Sequence, residues 1–234
     1  MNQIISQHGW AFDSSVWKEL KNIYIDNNWI WEDNERGYFN KKSVSPKWVN
    51  NNSLNKKRVI IIHSLGIHLI DKNILLKASH AIFINSFYNF IPDSKDRKLI
   101  SRSLEIMKKK LNNKEIKLML YEFYKNSFFP IEINLNYKKT ISSKFENANI
   151  SLLKSDFNKL SISDKPPLLV SKDCNVLIIK SINDQILNHN SSESFIELMS
   201  KRQIQKPKIL ELENQGHIIN NYKIFNFIDN WINH

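Results

Sequence analysis

Three side chains that together can make an attacking hydroxyl occur in order along the chain. They are Ser64 in "RVIIIHSLGIHLI", Asp184 in "LIIKSINDQIL" and His217 in "LELENQGHIIN". A serine hydroxyl attacks a carbonyl only when a base takes its proton, a third group orients that base, and donors receive the oxyanion. Each of the three residues lies just past an apolar run that reads as a strand, and parallel sheets assemble their sites at such ends. Taken singly, Ser64 reads as a turn residue, Asp184 as a helix cap and His217 as a surface-loop histidine. Jointly, the match of type, order and strand position favours a triad. His68, in the helix expected after Ser64, and His189 and His234, away from strand ends, compete poorly. Cys174 precedes its strand and reads as a buried structural thiol. The amide of Leu65, just after the serine, is one oxyanion donor candidate. Gly9 lets "QHGW" turn so that the Trp10 amide can be the second.

The elements that must position these residues are legible from periodicity. "QIISQHGW", "NWIWED", "KRVIIIHS", "HAIFINSF", "CNVLIIKS" and "PKILELEN" read as strands. The unbroken β-branched run before Ser64 suits a central strand covered on both faces. Helical patterns fall between them: "DSSVWKELKN" with Asp13 as N-cap, "SSESFIELMSK" with serine at its start, and "YKIFNFIDNWI". Strands alternating with helices imply a mainly parallel sheet. Residues 93–164 break the alternation. Leu99, Ile100, Leu104, Met107 and Leu111 make one helical stripe, Ile116, Met119, Leu120 and Phe123 a second, and Ile150, Leu153, Phe157 and Leu160 a third. The expected organisation is an α/β core from 1–92 and 165–234, with an inserted helical segment at 93–164 that the Pro166-Pro167 pair closes.

Composition bounds the rest. A chain of 234 residues that is 41% hydrophobic, with six Trp and thirteen Phe, can bury one sizeable core. No apolar run approaches the roughly 20 residues needed to cross a bilayer. The start "MNQIISQHGW" lacks a signal-peptide pattern, and a single cysteine allows no internal disulfide, so a cytoplasmic protein is expected. Abundant Asn, Lys and Ile beside only four Gly match A/T-rich codon usage, so the net charge of +11 carries weight only through its distribution. Between Ser94 and Leu160 there are 15 Lys/Arg against 7 Asp/Glu, most of the excess. Such a surface suits an acidic partner, although a solvated helical face is the plain alternative. The chain has no recognised nucleic-acid-binding motif, so nucleic acid is not the expected partner.

With "HGW" near the start, "HSLG" at the serine, "ND" after a late strand and "GH" near the end, the sequence resembles the α/β-hydrolase superfamily over nearly its whole length. More closely, "QHGWAFDSSVW" is similar to the opening of the pimeloyl-acyl-carrier-protein methyl ester esterases of biotin synthesis. The resemblance implies an α/β-hydrolase fold with a helical lid and a serine carboxylesterase. It places Ser64, Asp184 and His217 as triad, Trp10 and Leu65 as oxyanion donors, and needs no metal or organic cofactor. The implied partner is an acidic acyl carrier protein, docking on basic residues such as Arg97, Lys98 and Arg102. Phe87 and Phe128 are candidates to line the acyl channel, and a monomer is expected. Two departures stand out: Ile62 occupies the first glycine of the usual Gly-x-Ser-x-Gly elbow, and Ala11 follows "HGW" where another glycine is common. "ERGYF" (35–39) reads as structural support. Alternatives are a general short-chain esterase, an acyl thioesterase, or a non-catalytic carrier-protein binder that keeps the fold.

Overall fold

A computed structural model describes residues 1–49, 56–112, 115–161, 170–219 and 221–233. Its centre is a six-stranded, all-parallel sheet in the order β2-β1-β3-β4-β5-β6. The strands are β1 (Gln3–Gln7), β2 (Ile30–Asn34), β3 (Arg58–His63), β4 (His80–Ile84), β5 (Asn175–Ser181) and β6 (Lys208–Leu212). All six overlap the runs read from the sequence. The core helices are α1 (Lys18–Asp26), α2 (Lys72–Leu76), α7 (His189–Arg202) and α8 (Tyr222–Asn233).

Both faces of the sheet are covered, which is why β3 is apolar without alternation. Val59 and Ile61 face α1 and α8, meeting Leu20, Tyr24, Phe225 and Ile228. Ile60 and Ile62 face the other way, toward Ile74, Phe195 and Met199 of α2 and α7. The period of two thus survives as a sorting between two cores rather than between core and water.

Asp13 caps the chain as expected, its carboxylate accepting from the Ser15 amide, but a 3₁₀ turn (Ser14–Trp17) precedes α1. At α7 the expected serine lies inside the helix, and Asn188 is the N-cap, accepting from the Asn190 amide. Segment 64–68 after β3 is also 3₁₀ rather than α-helical.

Between β4 and β5 come α3 (Arg97–Leu111), α4 (Ile116–Phe128), α5 (Leu135–Glu146) and α6 (Ile150–Asn158). Pro166, Pro167 and the expected boundary at 164/165 lie outside the described residues. The three apolar stripes build a third core over the C-terminal edge of the sheet, with Leu104, Leu111, Met119, Leu120, Phe123, Leu153 and Phe157 buried beside Trp10 and Phe12. Leu99 departs from its stripe and is 68% exposed.

Polar contacts tie these helices to the core. Arg36 donates to both carboxylate oxygens of buried Asp156 at 2.7–2.9 Å, and the Tyr38 hydroxyl donates to the same group at 2.7 Å. Burial first, and then the Asp156 charge, push the Tyr38 phenol well above its usual range. The "ERGYF" segment therefore anchors α6. The Trp10 indole donates to the Leu153 carbonyl and the Tyr124 hydroxyl to that of Ala11, adding two more ties. Removing Asp156 leaves a half-buried guanidinium and a buried hydroxyl without their acceptor. We expect Asp156→Ala to cost about 3 kcal/mol in urea unfolding, with Asp156→Asn intermediate. An unchanged midpoint would mean that these contacts do not hold the helices down.

Candidate active site

The C-terminal ends of β1, β3, β4, β5 and β6 converge beneath α3, α4 and α6. At the end of β3 the chain turns so sharply that Ser64 takes a left-handed conformation, φ 53°. Such a conformation costs a non-glycine residue on the order of 1–2 kcal/mol, and it recurs where a side chain must be presented to a ligand. Ile62 does not block the turn. Its side chain points into the core facing α2 and α7, where it is wholly buried.

The three sequence-predicted residues meet. The Ser64 hydroxyl lies 2.8 Å from His217 Nε2, and His217 Nδ1 lies 2.7 Å from Asp184 Oδ2. An ionised carboxylate only accepts, so Nδ1 carries the proton and Nε2 presents its lone pair to the serine. The other Asp184 oxygen accepts from the amides of Ile186 and Leu187 at 2.7 and 2.9 Å. Asp184 therefore does not cap a helix, since Asn188 caps α7; one oxygen braces the turn after β5 while the other meets His217. His217 is 1% exposed, so its hydrogen bonds compete little with water.

Gly9 presses against the serine. A Cβ there would stand 3.0 Å from Ser64 Cβ and 2.8 Å from His63 Nδ1, so close approach is what this position requires. His8 holds the turn by bonding the Gly9 carbonyl through Nδ1 at 2.9 Å. Burial raises the neighbouring Glu35 carboxyl, but contact with His8 and the amides of Ser14 and Gly37 outweighs it and holds the group at about 2. Ala11, which follows Trp10, has φ 56°, so the departure from glycine leaves a left-handed backbone intact there.

The histidine loop is braced from two sides. A Cβ on Gly216 would overlap the Phe129 carbonyl and come within 2.8 Å of the Ser127 carbonyl, and Ile218 N–H donates to Ser127 at 2.9 Å. The end of α4 therefore forms one wall of the loop. From the sheet side, His63 and Asn85 bond the His217 carbonyl at 3.0 and 2.8 Å. Sequence reasoning passed over both. Their only signal was a polar residue ending a buried strand.

Above Ser64 lies a cavity of about 390 Å³. Trp10, Ser64 and Leu65 form its floor, and Phe90, Leu104, Met119, Phe123, Phe157 and Leu160 its walls. Lys110, Glu122 and Gln185 add polar groups. The aromatic lining differs from the expectation. Phe87 instead packs at 5.2 Å from both Phe90 and His68, and Phe128 packs against Tyr124. Arg97, Lys98 and Arg102 stand exposed on α3, the helix that supplies Leu104 to the wall. Cys174 is buried and its thiol pushed up to about 12, chiefly by desolvation. Among the described residues, no group of three or more His, Cys, Asp or Glu side chains is arranged to hold a metal ion, and no helix is long and apolar enough to cross a membrane.

No protein-family model matches the chain, and no curated protein matches its sequence. Solved structures do match. An esterase from Exiguobacterium antarcticum superposes with a TM-score of 0.70 at 14% identity, over 100% of this chain and 91% of that one. A bromoperoxidase from Bacillus anthracis gives 0.71 at 15% identity, over 99% and 90%. An epoxide hydrolase from Bacillus megaterium gives 0.68 at 12% identity, over 100% and 94%. With its all-parallel sheet, helices on both faces and matches over its full length, the chain has the α/β-hydrolase fold.

Proposed function

We propose that the protein is a serine carboxylesterase whose substrate is the methyl ester of an acyl chain carried by an acidic acyl carrier protein, the pimeloyl chain of biotin synthesis in particular. One observation carries the hydrolytic part: the unbroken Asp184–His217–Ser64 hydrogen-bond chain at the floor of an apolar cavity. His217 Nε2 takes the Ser64 proton as Oγ attacks the ester carbonyl, while Asp184 holds the imidazole in place. The amides of Trp10 and Leu65 receive the oxyanion. As the carbonyl re-forms, the bond to the methoxy oxygen breaks and His217 returns the proton, releasing methanol. Water then attacks the acyl-enzyme by the same route, freeing the carboxylic acid and restoring the Ser64 hydroxyl.

The carrier-borne ester is supported by chemistry rather than by the fold. The cavity walls suit an unbranched apolar chain. The basic α3 borders that cavity, and Arg97, Lys98 and Arg102 are free of burial cost, so they can meet an acidic surface or a phosphate. The sequence resemblance names the same substrate.

The test compares a pimeloyl-carrier-protein methyl ester with free methyl pimelate. We expect rapid cleavage of the first, slow cleavage of the second, and loss of both in Ser64→Ala. Equal rates would leave a general esterase, faster cleavage of the acyl thioester a thioesterase, and tight carrier binding without turnover a non-catalytic binder. Reversing charge at Arg97, Lys98 and Arg102 together should raise KM for the carrier-borne ester by about tenfold at low salt while leaving the free ester unaffected. An unchanged KM would remove α3 as the docking surface.

A further inference from the structure

We propose that Asn85 is a positioning residue that sets the Asp184–His217 pair against Ser64. The inference rests on the reading of Ser64 as the nucleophile. Asn85 follows β4, is 2% exposed and has φ 44°. Its Nδ2 donates to the His217 carbonyl at 2.8 Å, with Gly216 O at 3.2 Å and Ser181 Oγ at 3.1 Å also in reach. Its Oδ1 accepts from the Ser181 amide at 2.8 Å. One side chain thus straps the end of β5, which leads to Asp184, to the loop after β6, which carries His217.

The topology explains why such a strap is needed. In the sheet, β6 pairs only with β5, and most of its residues are at least partly exposed. A loop leaving an edge strand has little to fix it, whereas β4 lies deep in the sheet. Asn85 reaches across β5 and transfers the rigidity of the centre to the histidine. His63 completes the grip. Burial and the nearby His217 push its imidazole well below the usual histidine range, so it is neutral and donates Nε2–H to the same His217 carbonyl at 3.0 Å. The left-handed backbone at Asn85 aims the amide. Asparagine tolerates that conformation better than most residues do.

Filling a buried site would also explain an asparagine, so the test must separate positioning from packing. Asn85→Gly keeps the left-handed backbone and removes the strap. Asn85→Asp is isosteric, keeps the acceptor for Ser181 and, when ionised, loses every bond that Nδ2 donates. Both are assayed with p-nitrophenyl butyrate, by thermal unfolding, and by the NMR signal of the His217 Nδ1 proton shared with Asp184. We expect kcat to fall about 100-fold with KM little changed, even well below the melting temperature, and the Nδ1 proton to be lost to exchange. Should Asn85→Gly fail to fold, Asn85→Asp is read in the same way.

Wild-type kcat in either folded variant, or a sharp Nδ1 signal as in the wild type, overturns the proposal. If the wild type hydrolyses no ester, the esterase reading fails on its own and the NMR signal decides. Its loss in the variants supports the strap and its persistence refutes it.

Discussion

Holding a serine at φ 53° costs on the order of 1–2 kcal/mol, and that cost must be met by whatever surrounds it. Here β3 lies between β1 and β4 and is buried on both faces, so the strand cannot relax without breaking two ladders and two cores. Gly9 closes the space on one side of Ser64, and the histidine loop closes another. The strained turn and the hydrogen bond to His217 are therefore two consequences of one rigid strand end. Asp184 and His217 need only be brought to that fixed point, which the parallel order of β5 and β6 does.

The helices over the sheet edge are not a separate cap resting on a finished site. The end of α4 presses on Gly216 and takes a hydrogen bond from Ile218, so it helps to hold the His217 loop. Trp10 joins the floor of the cavity to α6 through its indole, while Arg36 and Tyr38 fix Asp156 on the same helix. By contrast, α3 lines the cavity with buried Leu104 and with Leu99 and Ile106, which stay largely exposed. The exposed basic residues of α3 thus border the cavity, whereas α4 and α6 are tied to the surroundings of the serine.

Much of this was legible in the sequence because it is periodic or local. The β-branched run before Ser64 and the apolar runs before Asp184 and His217 mark strands, and parallel topology then brings their ends together. What escaped reading is non-periodic. Helix α5 is polar-rich, and its apolar face, with Ile141 and Phe145 buried, is too short to stand out as a stripe. The short 3₁₀ segments after Asp13 and His63 have the same residue types as α-helical turns. Phe87 and Phe128 could not be told from Phe90 and Phe123 by type, because the choice between packing and lining depends on which helix faces the serine. Asn85 and His63 act through backbone carbonyls more than a hundred residues away, and a carbonyl has no sequence signature. Ile62 stands where the usual elbow has its first glycine. The structure accommodates the side chain because it points away from the turn into a deep core.

Reaction with an alkyl fluorophosphonate tests directly whether His217 activates the Ser64 hydroxyl. Rapid stoichiometric labelling, mapped by mass spectrometry to Ser64, is expected, with near-complete loss of labelling in a folded His217→Ala variant. A folded wild-type protein that stays unlabelled, or one that labels equally fast without His217, would contradict that activation.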